Sequence, residues 1–480
     1  GRPDGDGVFA LLDLLRRGPD GSRERAAAAI AGVCKADVHT KEMVSDMEGI
    51  QALLELFSTR CPAALKQMEI SRLRDIAEGR KMRAAALSNE GLRVTQMEDA
   101  QKEIALLEGM RILLDHRLRK LKESGIKALY CVTTDCHIAC EKMLVHGGLK
   151  VMQQTIIKRK DEGCSSGDSM LEIESATGIV ENVCRSFFQP GVVKETDSLA
   201  ATSIGGFIAA AGARGDTGAV ISSLFLQNLH DEVENLNFIC VLHELLKPRM
   251  NVDGWIRIQA RAAGALWAIV DGKNLYAERM HRYDLDGDND YTEQILTLDG
   301  MSTIMNVLMY GNSGDQDELE ARELTVGLIS SMINGNESCC RVAKQHGVVA
   351  RLMQLMNLGD DGLGAFSTQE LAAKALHGAL EISEDCRSEA RRSGIREMLK
   401  TIIESPLLHS PEDLERQQAM SSREWALKLL RIINRAPFRG MKGQAKVDDT
   451  WGVNPATTIQ CNFRMHSSRK KLAHLKAMPT

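Results

Sequence analysis

The stretch 345–382, QHGVVARLMQLMNLGDDGLGAFSTQELAAKALHGALEI, decides the fold. It opens at His346-Gly347, a point where a helix must end, because glycine readily takes the left-handed backbone that terminates one. Val348 to Met356 then sets apolar residues at helical spacing, and a Gly-Asp loop follows. Leu371-Ala372-Ala373-Lys374-Ala375-Leu376 begins a second, alanine-rich helical run. Neither run can bury its apolar stripe alone, so the unit must stack on others like it.

Those others are in the chain. The small-residue turn before an apolar run recurs at Met47-Glu48-Gly49-Ile50, Leu107-Glu108-Gly109-Met110, His146-Gly147-Gly148-Leu149, Leu298-Asp299-Gly300-Met301 and Arg392-Ser393-Gly394-Ile395. Gly109 to Gly147 is 38 residues, and Gly300 to Gly347 and Gly347 to Gly394 are 47 each, close to the ~40 to 47 of three-helix solenoid units. The gaps from Gly49 to Gly109, 60 residues, and from Gly147 to Gly300, 153 residues, leave room for insertions and further units. The alanine-rich helix recurs over 26–34, 127–133, 176–184, 259–270, 323–333, 371–382 and 422–433. Its small residues let neighbouring helices approach closely.

In this order of elements residues 20 to 435 resemble the armadillo repeat family, whose unit runs as a short helix ending in Gly-Gly, an apolar second helix and a third helix with an Ala-Leu-x-Asn-like core. The resemblance implies an all-α, right-handed α-solenoid of armadillo- or HEAT-like repeats that binds proteins and does no chemistry. The expected organisation is an N-terminal segment over 1–22, a solenoid over 23–436, and an extended basic tail over 437–480. Insertions near 58–80, 157–170, 283–293 and 359–367 break the period and are expected as exposed loops. Lys158-Arg159-Lys160 falls in one of them and reads as solvated.

Nuclear-import receptors of that family hold a basic peptide on Trp and Asn residues four apart on successive third helices. Here the paired positions read Ala28 and Gly32, Lys127 and Cys131, Gly178 and Asn182, Gly264 and Ala268, Lys374 and Gly378, Trp425 and Leu429. One Asn and one Trp survive, in different repeats, so a nuclear-localisation peptide is not the expected ligand. Asn182, Trp255, Trp267, Lys374 and Trp425 are the candidate groove residues. Trp267, within Ala265-Leu266-Trp267-Ala268-Ile269, reads first as core and only second as a groove anchor.

Composition agrees with this architecture. The 480 residues are 44% hydrophobic and 26% charged, which excludes wholesale disorder, and 4% aromatic with 10 prolines, which favours helix over strand. The net charge of −5 makes no global case for nucleic acid or a membrane surface. From Pro437 to Thr480, eight Lys or Arg stand against two acids, so the tail is +6 and the preceding residues about −11. Arg469, Lys470, Lys471 and Lys476 are the tail contacts expected for an acidic surface, and only there is nucleic acid a candidate. No run reaches the ~18 apolar residues of a membrane-spanning helix. The chain begins Gly1-Arg2-Pro3 without Met or an apolar signal region and so reads as processed or incomplete.

Twelve cysteines in a chain this long, mostly within helical runs, read as reduced thiols in a reducing compartment. Cys131, Cys136, His137, Cys140 and His146 offer soft zinc ligands at poor spacing. Asp284, Asp286, Asp288 and Asp290 alternate as in a calcium loop, but Asn289 stands where that loop needs glycine and Ile295 where it needs glutamate. They are a weak candidate, and no metal or cofactor is expected. The phosphate-loop, nucleophile-elbow, zincin and dinucleotide fingerprints are all missing. The expected function is a non-enzymatic scaffold, a structural subunit of a multi-subunit assembly in a cytoplasmic, cytoskeletal or ciliary setting. The alternative is a soluble, reversible peptide-binding adaptor or chaperone-like receptor, and behind it a calcium-regulated module or an enzyme.

Overall fold

The computed structural model describes residues 5–58, 62–86, 90–162, 167–188, 227–249, 252, 254–280, 291–309, 315–357, 363–405 and 413–434. Among them every long element is a helix and none is a strand. The chain divides into two compact units, Gly1–Val183 and Cys184–Thr480, and the described residues of each are helical.

Unit 1 starts with α1 (Gly5–Arg17), α2 (Asp20–Ala36), α3 (Val38–Asp46) and α4 (Gly49–Leu54). α5 (Pro62–Ala85) and α6 (Glu90–Thr133) follow, then α7 (His137–Val145), α8 (Gly148–Asp161) and α9 (Gly167–Phe188). In unit 2 come α10 (227–235), α11 (Phe238–Leu246) and α12 (Trp255–Met280); α13 (Tyr291–Thr297), α14 (Gly300–Met309) and α15 (Gln316–Ile333); α16 (Glu337–Gln345), α17 (Val348–Asn357) and α18 (Leu363–Ile382); and α19 (Glu384–Arg392), α20 (Ile395–Ile403) and α21 (Asp413–Ile433). Each of these triplets is one repeat, and the third helices α12, α15, α18 and α21 pack successively on one another.

One backbone device joins first to second helix throughout. Glu48, Gly147, Asn237, Asp299, Gly347 and Gly394 each take a left-handed conformation, with φ between 49° and 80°, directly before the second helix. At Gly300 the following residue must also be glycine, since a Cβ there would come within 2.4 Å of the Ile295 carbonyl oxygen. The quoted turns of the sequence are thus real except one, and Asn237 adds a turn that carries no glycine.

The exception is Gly109, which lies inside the 44-residue helix α6. Ala100, Ile104, Leu107, Leu114, Leu118 and Leu121 fall on one face through it, with Arg111 as the one polar step between Leu107 and Leu114. The helix continues because α5 packs along that stripe, Ile70 and Ala77 meeting Leu107. Residues 62–80 are accordingly helix, not the exposed loop expected over 58–80. The N-terminal segment is likewise helical from Gly5, and its Val8, Leu12 and Leu15 are buried.

The insertion expected over 157–170 is also corrected. α8 continues to Asp161, and Arg159 is buried against Glu172 of α9, with Nε and Nη2 donating to its carboxylate at 2.5 and 2.8 Å. A basic triplet read as solvated therefore contains a core ion pair. Of 283–293, Tyr291 onward belongs to α13, and of 359–367, Leu363 onward belongs to α18.

Helix ends in the core are closed by basic side chains that donate to otherwise orphaned carbonyls. Lys41 reaches Thr134 O at 2.6 Å, Arg351 reaches Leu308 O at 2.6 Å, and Arg391 reaches Ile433 O at 2.9 Å.

Candidate partner-binding face of the third helices

The third helices α12, α15 and α18 are mostly buried and α21 is buried on one face, and each carries a stripe of residues at i, i+4 or i, i+4, i+7 spacing that meets a neighbouring helix. α12 has Trp267 and Asp271, α15 has Gly327 and Ser331, α18 has Glu370, Lys374 and His377, and α21 has Ser421, Trp425 and Lys428. Such spacing sets the members of each stripe on one helix face.

Cross-helix contacts tie the stripes together. Trp267 donates its indole N–H to Ser331 Oγ at 3.1 Å, and Ser331 donates to Asp271 Oδ1 at 2.9 Å. The ring packs on Gly327, where no side chain would fit. Toward the N-terminal ends, Arg261 pairs with Glu320 at 3.1 Å, and Ser367 donates to Glu323 at 2.5 Å. Farther along, the half-buried Glu370 accepts from the Trp425 indole and the Ser421 hydroxyl. Burial raises its pKa, and those bonds and the nearby Lys374 oppose the rise. His377 meets Trp425 edge-on with centroids 5.7 Å apart, and Lys428 Nζ stands 4.4 Å from the ring centroid.

Of the candidate groove residues, Lys374 and Trp425 are brought together around Glu370. Trp267 is half-buried in its own network and joins the face through α15. Trp255 is corrected to a packing role. It is 3% exposed at the start of α12, its N–H donates to Lys247 O at 2.9 Å, and Arg249 lies 4.7 Å from its ring centroid. Asn182 lies in unit 1, where its amide donates to the Thr133 and Thr134 hydroxyls at 3.2 Å. Arg469, Lys470, Lys471 and Lys476 lie outside the described residues, as do Asp284, Asp286, Asp288 and Asp290.

Glu370, His377, Ser331 and Asp271 were not among the candidates read from sequence. Their signal was present as polar residues at helical spacing within largely apolar third helices. Which of those polar residues share a face across helices depends on how the helices stack.

Among the described residues no group of three or more His, Cys, Asp or Glu side chains is arranged to hold a metal ion. Burial raises the thiol pKa of Cys131 and Cys136, and pushes those of Cys34 and Cys340 up to about 12. These thiols are therefore protonated packing groups. Cys34, Cys136, Cys140 and Cys184 are buried, whereas Cys131 and Cys240 are half-buried. No described helix is long and apolar enough to cross a membrane.

No family model matches the chain, and no curated protein matches it. Among solved structures it is similar to the designed armadillo repeat protein YIII(Dq)4CqI at 13% identity, over 64% of this chain and 94% of that one, with a TM-score of 0.39. It is similar to an engineered protein at 16% identity, over 90% and 99%, with a TM-score of 0.37. A third likeness is a designed armadillo repeat protein in complex with the peptide (KR)4, at 11% identity, over 64% and 94%, with a TM-score of 0.38. The solenoid assignment rests on the helix order and the left-handed turns.

Proposed function

We propose that this chain is a non-enzymatic protein-interaction scaffold, a structural subunit of a larger assembly, and that its third helices in unit 2 receive an extended segment of a protein partner. The carrying observation is the cluster of Glu370, Lys374, His377 and Trp425, half-buried polar and aromatic groups brought together where α18 packs on α21. Such a cluster offers a flat ring edge, a carboxylate acceptor and an ammonium donor within one small area. That set suits backbone amides and one basic or mixed-charge side chain of an extended peptide. The acidic balance of residues 1–436 favours the same partner chemistry.

The test is binding of the full chain to an array of peptides graded from acidic to basic, repeated with Trp425→Ala. Retention of basic or mixed peptides that the substitution weakens at least tenfold is the expected result. Equal binding by both proteins, or none by either, overturns the reading. Arg469, Lys470, Lys471 and Lys476 are proposed as a second contact, to an acidic surface, whose removal makes partner release occur at lower salt. A cytoplasmic, cytoskeletal or ciliary assembly is the proposed setting, tested by where a tagged chain localises and what elutes with it at high salt.

A further inference from the structure

Exposed apolar surface is concentrated on one part of unit 1. Of nineteen exposed large hydrophobic residues among those described, eleven lie between Leu65 and Leu113, on α5 and the first half of α6. Single exposed leucines need no explanation, but a concentration on one hairpin does. The hairpin's inward stripe is already used. Arg80 pairs with Glu103 at 3.1 Å, Arg74 with Glu108 at 3.0 Å, and Gln67 with Asp115, which fixes the antiparallel register along its whole length.

A second stripe lies off to one side. On α5 it holds Leu73 and Ile76, 44% and 41% exposed; on α6 it holds Leu106, Met110 and Leu113, 66%, 45% and 65% exposed. At 100° per residue, each set falls within about 60° of arc. Both sets are rotated from the inward residues in the same sense along the chain. Because the two helices run antiparallel, equal rotations bring both sets to the same side of the hairpin. The register puts them level with one another, around the Arg74–Glu108 ion pair.

The charges that frame this patch make it complementary to itself. Glu69 and Arg80 on α5, and Asp99 and Arg117 on α6, are all exposed on the same side. Consider a twofold axis lying across the patch, perpendicular to the helices, at the level of Arg74 and Glu108. On α5 Leu73 and Ile76 lie equally far from a point between Arg74 and Asp75, which is level with Glu108 to within half a residue, and on α6 Leu106 and Met110 lie equally far from Glu108. The same holds for Arg80 and Glu69, and for Arg117 and Asp99, each pair of opposite sign. One rotation therefore sets leucine on isoleucine and methionine at the centre, pairs Arg117 with Asp99 twice at the rim, and brings Glu69 to Arg80 beside the Glu103 that Arg80 already holds. A closed isologous contact needs this kind of self-complementarity.

We infer that this face of the α5–α6 hairpin is a homodimer interface, taking the same face of a second copy in an antiparallel four-helix bundle. The face is about 27 Å long and about 20 Å wide, from helix rise and diameter, so the total area buried is on the order of 1,000 Å². That is a small interface, so the dimer forms at micromolar rather than nanomolar concentration. It is independent of the peptide face proposed for unit 2.

The test is sedimentation equilibrium of the full chain across the micromolar range. The chain is expected to titrate from monomer to dimer. Met110→Glu is expected to raise the dissociation constant at least tenfold while leaving the melting temperature unchanged, since Met110 is exposed in the monomer. Arg117→Glu is expected to weaken the dimer, and adding Asp99→Arg to restore it, because the two residues meet only across the twofold. A monomer at every concentration overturns the inference, as does a dimer indifferent to Met110→Glu or a charge reversal that the second substitution fails to restore. A monomer that dimerises only after residues 437–480 are deleted also overturns it, by making the tail the occupant of this face.

Discussion

Trp267 of α12 and Gly327 of α15 fit each other through the absence of a side chain. A Cβ at Gly327 would come within 2.6 Å of the indole carbons, while Ser331, one turn further, receives the indole N–H at 3.1 Å. Gly327→Ala forces either the ring or the helix to move. Overpacking of this kind costs about 1 to 3 kcal/mol, against up to about 1 kcal/mol gained from alanine's helix propensity. Net destabilisation is expected by urea unfolding. In a Trp267→Leu background the same substitution is expected to cost little or to stabilise, and equal costs in both backgrounds would remove the ring as the cause.

At Gly347 the constraint is purely one of backbone. Its φ is +73° and nothing lies within 4 Å of where a Cβ would stand. Gly347→Val is expected to destabilise by about 1 to 2 kcal/mol, since a β-branched residue is strained there. Gly347→Asn should cost clearly less, because Asn237 already occupies the equivalent turn at φ 49°. Equal melting temperatures for the two variants would contradict the shared turn geometry.

These two residues show how far the sequence could be read. Gly347 announced its turn because few residues tolerate that backbone, and the turn repeated at 47 residues, so the repeat unit was legible. Gly109 gave the same signal falsely. It sits on a helix whose apolar face resumes in the same phase on both sides of Arg111, from Ala100 to Leu121, and a partner helix supports it. Asn237 was missed for the opposite reason, since its turn is left-handed without glycine. Lys374 and Trp425 were legible as polar residues at third-helix positions. That Glu370 links them was not, because the contact depends on how α18 stacks against α21.

Arg159 and Glu172 form a buried ion pair joining α8 to α9, with side chains 9% and 2% exposed. Burial raises the Glu172 pKa, and the Arg159 guanidinium opposes that rise. Removing one partner leaves a buried charge without compensation, which costs about 3 to 5 kcal/mol. Arg159→Met is therefore expected to destabilise strongly. Adding Glu172→Met should recover most of the loss, because a matched apolar pair carries no desolvation penalty. Thermal unfolding of the two variants checks this, and a double variant no better than the single one would show that packing dominates at this position.

The last expectation concerns pH. His243 of α11 is 1% exposed, and its Nε2 lies 3.2 Å from Thr303 Oγ1 of α14. Burial lowers its pKa below the ordinary 6.5, and Lys247 lowers it further, against the weaker pull of Glu244 and Asp299. The folded chain thus keeps the imidazole neutral in a range where the unfolded chain has already protonated it. Below about pH 6.5 the unfolded state binds the extra proton, so stability falls as pH drops and is flat above that point. The slope from one such group is at most about 1.4 kcal/mol per pH unit. His243→Gln can still bond Thr303 but cannot titrate. It is expected to flatten the dependence of unfolding free energy between pH 5 and 6.5 relative to the parent, measured in urea at fixed salt. An undiminished slope would assign the acid sensitivity to other groups.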